Sequence, residues 1–235
     1  MTDWQAFFEI HEGLDRQGPG LPEDVAWAIA RANVPAGAHI LDAGCGAGAD
    51  IPALLSHGDA RVTAVDTHVP FIDIVRRRFP DRVVAEAQSM ADPEGPFDFI
   101  WCAGALYFLG ITEGLDVFRP KLAPGAAVAF SEPVWTKDNP PEPVRAYWEE
   151  YPNLTDMTGL EARVTAAKYR IEGVRLLSPE AWDAYYTPMA ERVSALRPGA
   201  RPALAQQLDV AEHEHRIWRA HSDMFSYALL VVRPE

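Results

Sequence analysis

The chain is poor in the residues that define several large protein classes. Among 235 residues there are two cysteines, Cys45 and Cys102, with no C-x-x-C spacing. That number builds neither a disulfide framework nor a zinc site, and no metal is expected. No apolar run approaches the roughly 18 residues that a membrane span needs. No basic segment followed by a short apolar stretch suggests a secretion signal, so a cytoplasmic protein is expected. Positive charge is also scarce: 21 Lys and Arg stand against 34 Asp and Glu, a net charge of −13. Such a surface repels phosphate backbones, and no basic stripe is interleaved with aromatics. The one cluster, Arg76-Arg77-Arg78, falls late in an expected helix, where cations complement the dipole. Nucleic acid and membrane are thus set aside as partners in favour of a small-molecule substrate, with the chain a monomer or homodimer.

What is present centres on Ile40-Leu-Asp-Ala-Gly-Cys-Gly-Ala-Gly48. It reads as a buried strand that ends in a glycine-rich turn opening into a helix. Glycine at 44, 46 and 48 lets the backbone take φ > 0 and approach a ligand closely. In a dinucleotide fingerprint the third glycine lies five residues after the first. Here it lies four after, and Asp42 stands two before the first. A second β-branched run, Arg61 to Asp66, ends in an acid placed to accept hydrogen bonds from ribose hydroxyls. Asp66 suits NAD as well as other nucleosides, and capping of the helix starting near Pro70 is its plainer role.

The D-x-G-x-G-x-G variant resembles motif I of the class I S-adenosylmethionine (SAM) dependent methyltransferases. Further segments resemble the same family in the same order. Ala87-Gln-Ser-Met90 is similar to the adenine-bracketing segment. Phe97 to Tyr107 is similar to strand four and its exit loop, and Lys121-Leu-Ala-Pro-Gly to the approach to strand five. The Gly/Pro-rich loop around Arg16, Gln17 and Gly18, with Trp182 to Pro188, resembles a bacterial small-molecule branch of the family.

The resemblance implies an α/β Rossmann-like sheet of seven strands, order 3-2-1-4-5-7-6, with strand 7 antiparallel, helices on both faces and a helical lid. It implies one domain over 1–235: an N-terminal helical cap (1–35), a SAM-binding core (36–132) and lid segments at 133–168 and 178–221. SAM would be held by Arg16, Gln17, Gly18, Asp42, Gly44, Cys45, Gly46, Asp66, Thr67, Ser89, Met90 and Ala103, with S-adenosyl-L-homocysteine (SAH) as product. Arg16 would clamp the SAM carboxylate. Ala103 stands where relatives often carry an acid, which leaves the SAM amino group to backbone carbonyls and water.

Methyl transfer from a sulfonium is an in-line displacement that needs positioning more than catalytic groups. Glu132, Tyr107 and His11 are the candidate bases. Tyr107, Trp135, Tyr147, Trp182 and Tyr186 are the candidate acceptor-binding residues. Strand five is expected to end before Glu132, and prolines at 133, 140, 141 and 143 to keep most of 132–143 irregular. The run Glu212-His-Glu-His-Arg216 is read as a solvated helix face, because histidines two apart do not share a side of a helix. Two rival functions stay open: a non-catalytic SAM- or SAH-binding module, and an NAD(P)-dependent oxidoreductase.

Overall fold

The continuous apolar runs of the sequence become the interior strands of one sheet, as expected where helices cover both faces. In the computed structural model, which describes residues 3–235, β1 (His39–Ala43), β2 (Arg61–Asp66) and β3 (Val83–Ala87) form one half of that sheet. β4 (Phe97–Ala103), β5 (Leu122–Trp135), β7 (Tyr169–Leu176) and β8 (Phe225–Pro234) form the other. The order is β3-β2-β1-β4-β5-β8-β7, and β8 runs antiparallel to both neighbours. This is the expected order. A two-residue strand, β6 (Thr155–Asp156), pairs with the end of β5 and brings the count to eight rather than seven.

Helices fix the two faces. α2 (Pro22–Ala32), α3 (Ile51–Leu55) and α4 (Val69–Arg78) bury Val25, Leu54 and Val75 on one side, around Ile40, Val62 and Phe99. α5 (Ile111–Phe118) and α7 (Met157–Ala166) cover the other, burying Leu115 and Val164 against Ile100, Val128 and Leu230. α7 therefore belongs to the layer that carries the chain from β5 to β7, although its sequence lies within the span read as lid. The start of α2 shows how locally these ends are set. Pro22 supplies the first-turn φ, and the Leu21 N–H donates to Asp24 Oδ2 at 2.9 Å.

A third apolar cluster lies beyond the ends of the strands. α1 (Trp4–His11), α6 (Glu142–Tyr147), α8 (Pro179–Leu196) and α9 (Pro202–His221) pack there around Ile10, Val144, Trp182, Leu208 and Phe225. Of the cap read over 1–35, residues 1–2 lie outside the described part. Among the described residues no helix is long and apolar enough to cross a membrane.

One expectation is corrected. The segment after Glu132 does not turn irregular at once: β5 continues through Pro133 to Trp135. β4 leaves β5 at Ala103–Ser131, while β8 stays paired through Trp135. Pro133 thus lacks an N–H only beyond the reach of β4, where the ladder does not need one.

Candidate active site

The strand order reverses between β1 and β4, and open α/β sheets bind ligands at the carboxyl ends of the strands beside such a reversal. The glycine turn stands at that place. Gly44, Gly46 and Gly48 have φ of +76°, +52° and +84°, a region L-residues seldom adopt. The amides of Gly44 and Cys45 both donate to Val65 O at 2.9 Å, which ties the turn to β2. Asp66, at the end of β2, accepts from Gly46 N at 3.0 Å and from His68 N at 2.8 Å. One carboxylate so joins the glycine turn to the start of α4.

Asp42 is buried, and its Oδ2 has no hydrogen-bond partner. Burial, then the nearby charges of Asp50 and Asp66, raise its pKa well above the usual carboxylate range. Asp50 accepts from Trp101 Nε1 at 2.9 Å and pairs with Arg16. Three carboxyls against one guanidinium leave the turn short of positive charge. An orphaned acceptor and a net-acidic cradle are the features that a sulfonium and an ammonium group would complete, so the residues fit SAM.

The N-terminal loop folds onto this turn. Gln17 Oε1 accepts from Ala47 N at 2.9 Å, while its Nε2 donates to Leu14 O at 2.9 Å and His11 O at 3.3 Å. A Cβ on Gly46 would collide with the Gln17 side chain, and one on Gly44 would lie 2.5 Å from the Ala105 Cβ. The remaining positions read for SAM scatter around the crevice. The Met90 methyl approaches Gly44, and Ser89 Oγ accepts from Ala91 N at 3.1 Å. Cys45 is buried with its thiol pKa raised by burial, whereas Thr67 is exposed. Ala103 and Gly18 are half-buried.

Beside the turn a cavity of about 180 Å³ opens under Gln17, Gly18 and Pro19. Tyr107, Tyr151 and Tyr227 line the side nearer the sheet. Tyr147, Trp148, Trp182 and Tyr185 line the side formed by α6 and α8, with Glu214 from α9. Of the residues read for the acceptor, Tyr107, Tyr147 and Trp182 meet there. Trp135 packs behind Trp148 at 6.5 Å, and Tyr186 lies behind Trp182 at 5.8 Å, donating to Glu214 at 3.0 Å.

The three candidate bases differ in state. Glu132 is 2% exposed, with Oε2 unpartnered and Oε1 accepting from the Tyr151 hydroxyl. Burial outweighs that bond and pushes its carboxyl up to about 7. Burial, followed by the Glu132 charge, raises the Tyr107 phenol, which keeps it neutral. His11 is held neutral by burial. Its Nδ1–H donates to Phe7 O at 2.8 Å, so Nε2 is left to accept from Tyr185 OH at 3.2 Å.

Sequence reasoning missed Glu214, Tyr227 and the bond from Tyr151 to Glu132. Glu214 was readable. Leu204, Leu208, Ala211 and Trp218 are buried on one stripe of α9 at helical spacing, and Glu214 falls on that stripe. The Glu212–Arg216 run is therefore not a uniformly solvated face: Glu214 enters the cavity and His215 stacks on Tyr186 at 4.8 Å. Among the described residues no group of His, Cys, Asp and Glu is placed to hold a metal.

The sheet order and the glycine turn with its acids are similar to those of class I SAM-dependent methyltransferases. Residues 40–125 match the family model described as a methyltransferase domain. The chain is 28% identical over 177 residues to a trans-aconitate 2-methyltransferase of Paracidovorax citrulli, covering 69% of this chain and 66% of that protein, a little under two thirds of its length. Another protein of that name, from Methylobacterium nodulans, is 26% identical over 90% of this chain and 78% of its own. A Geobacter sulfurreducens SAM-dependent methyltransferase solved with SAH superimposes with a TM-score of 0.84 at 18% identity, over 98% of each chain.

Proposed function

We propose that the protein transfers the methyl group of SAM to a small molecule held in the aromatic cavity, releasing SAH. The observation that carries this reading is the adjacency of two unlike sites. An acidic glycine turn with an orphaned Asp42 oxygen lies on one side of Gln17 and Gly18, and the aromatic cavity on the other. SAM supplies an already activated methyl group, so the protein's task is to hold an acceptor atom in line with it, about 3 Å away.

The chain's own residues divide that work. Asp66 holds the turn open and offers its remaining lone pairs to ribose hydroxyls. Arg16, fixed by Asp50 through one nitrogen, keeps other N–H groups for a carboxylate. Tyr151 carries a hydroxyl from the cavity wall to Glu132, whose carboxyl titrates at about 7 and can take a proton from the acceptor near neutral pH. The α6, α8 and N-terminal segments exclude water.

The acceptor named in the relatives does not transfer to this cavity. Its lining residues include no Lys, Arg or His, and a tricarboxylate would face Glu214. The test is calorimetry with SAM and SAH, followed by an acceptor screen that measures SAH release. Tight SAM binding without turnover on any acceptor class would favour a binding module. Failure to bind either nucleoside would remove the reading.

A further inference from the structure

Granted the methyl-transfer reading on which this rests, we propose that the cavity is built for an organic cation, so that the methyl acceptor is an amine. Seven of its twelve lining residues are aromatic, and the single charged one is Glu214. Aromatic faces carry negative potential and attract cations. A desolvated cage with one carboxylate binds an alkylammonium group far better than a neutral molecule of the same shape.

The walls are built of interlocked rings. Trp182 stacks on Trp218 at 5.7 Å and meets Tyr227 at 5.5 Å and 64°. Tyr147 meets Trp148 edge-on at 5.1 Å. Glu214 accepts from the Tyr186 hydroxyl at 3.0 Å and is also hydrogen-bonded to Tyr147, and no Lys, Arg or His of the cavity lining pairs with it. The sites of methyl transfer and of cation recognition also agree chemically. An ammonium acceptor must lose a proton before its nitrogen can attack. The lone pair so freed forms the new N–C bond as the S–C bond breaks, and the proton passes through Tyr151 to Glu132. Burial raises the Glu214 carboxyl, and a bound cation reverses that penalty.

The whole chain, saturated with SAH, is titrated by calorimetry with three probes. Choline is a permanent cation, 3,3-dimethyl-1-butanol is its neutral isostere, and trans-aconitate is a polyanion. Choline is expected to bind saturably, the isostere at least tenfold more weakly, and trans-aconitate not at all. Glu214→Gln should weaken choline at least tenfold while SAH affinity stays within twofold. Equal binding of choline and its isostere, no binding of choline, preference for trans-aconitate, or unchanged choline affinity in E214Q would each overturn the inference. Should E214Q not fold, the wild-type comparison decides alone. A chain that binds no SAH fails at the earlier step and takes the methyl-transfer reading down with this one.

Discussion

Asp66 occupies the point where the glycine turn, the end of β2 and the start of α4 meet. Its two oxygens each take a backbone N–H, so its removal loosens the turn as well as deleting the proposed ribose contact. Asp66→Ala is expected to weaken SAM binding by about 1.5–3 kcal/mol, the range for hydrogen bonds to a charged group. Calorimetry giving wild-type affinity would remove Asp66 from the site. Gly46→Val is more severe. At φ +52° a β-branched residue is strained, and its Cβ meets Gln17, so the N-terminal loop is displaced too. The variant is expected to fold with a melting temperature lowered by a few degrees and to show no measurable SAM binding. Normal binding would show that the turn does not face the cofactor. The glycines and the two acids were legible because backbone sterics and strand-end position act within a few residues. For Glu214 only its place on a buried stripe was legible, because a helix sequence records a polar residue among apolar ones without saying which cavity that stripe faces.

Elements followed from pattern where burial sets the period. The ends of β1 and β2 lie close to where the apolar runs before Gly44 and up to Asp66 place them. Pro133 within β5 was illegible, since whether a proline is tolerated depends on which neighbour has already left the sheet. The layer to which α7 belongs was hidden for a similar reason. The loop 12–21 makes the sharpest prediction at this scale. It is fixed by Gln17 on Ala47, Arg16 on Asp50, Glu12 on His68 at 2.7 Å, Asp15 on Arg78 at 3.5 Å and the Gly20 amide on Ala181 O at 3.2 Å. These are few contacts for a segment lying over the crevice. SAH is therefore expected to slow amide exchange over residues 11–20 along with residues 44–90. Slowing confined to 44–90 would show that the loop is no lid and that Arg16 does not hold the carboxylate.

At the scale of the molecule, charge and burial act in the same direction. Asp42, Glu132 and Glu214 all have carboxyls raised chiefly by burial, in a chain of net charge −13. Glu132 moves from 4.5 to about 7 on folding. Between those values the native state holds a proton that the unfolded chain releases, so stability falls as pH rises. The contribution is full below pH 4.5 and is lost as pH passes through 7. For Glu132 it amounts to at most about 3 kcal/mol, at 1.36 kcal/mol per pK unit. Glu132→Gln removes this titration while leaving the surface charge nearly unchanged. The variant should therefore gain stability relative to wild type between pH 4.5 and 7, then run parallel above it, as measured by urea unfolding. Mutual repulsion of surface carboxylates also weakens the wild type with rising pH, and 1 M NaCl separates the two causes. At that salt the screening length is about 3 Å, which suppresses surface repulsion but leaves a buried carboxyl untouched. The difference between wild type and E132Q should survive in salt. Its disappearance would mean that Glu132 is solvated in solution and cannot serve as the proton acceptor behind Tyr151.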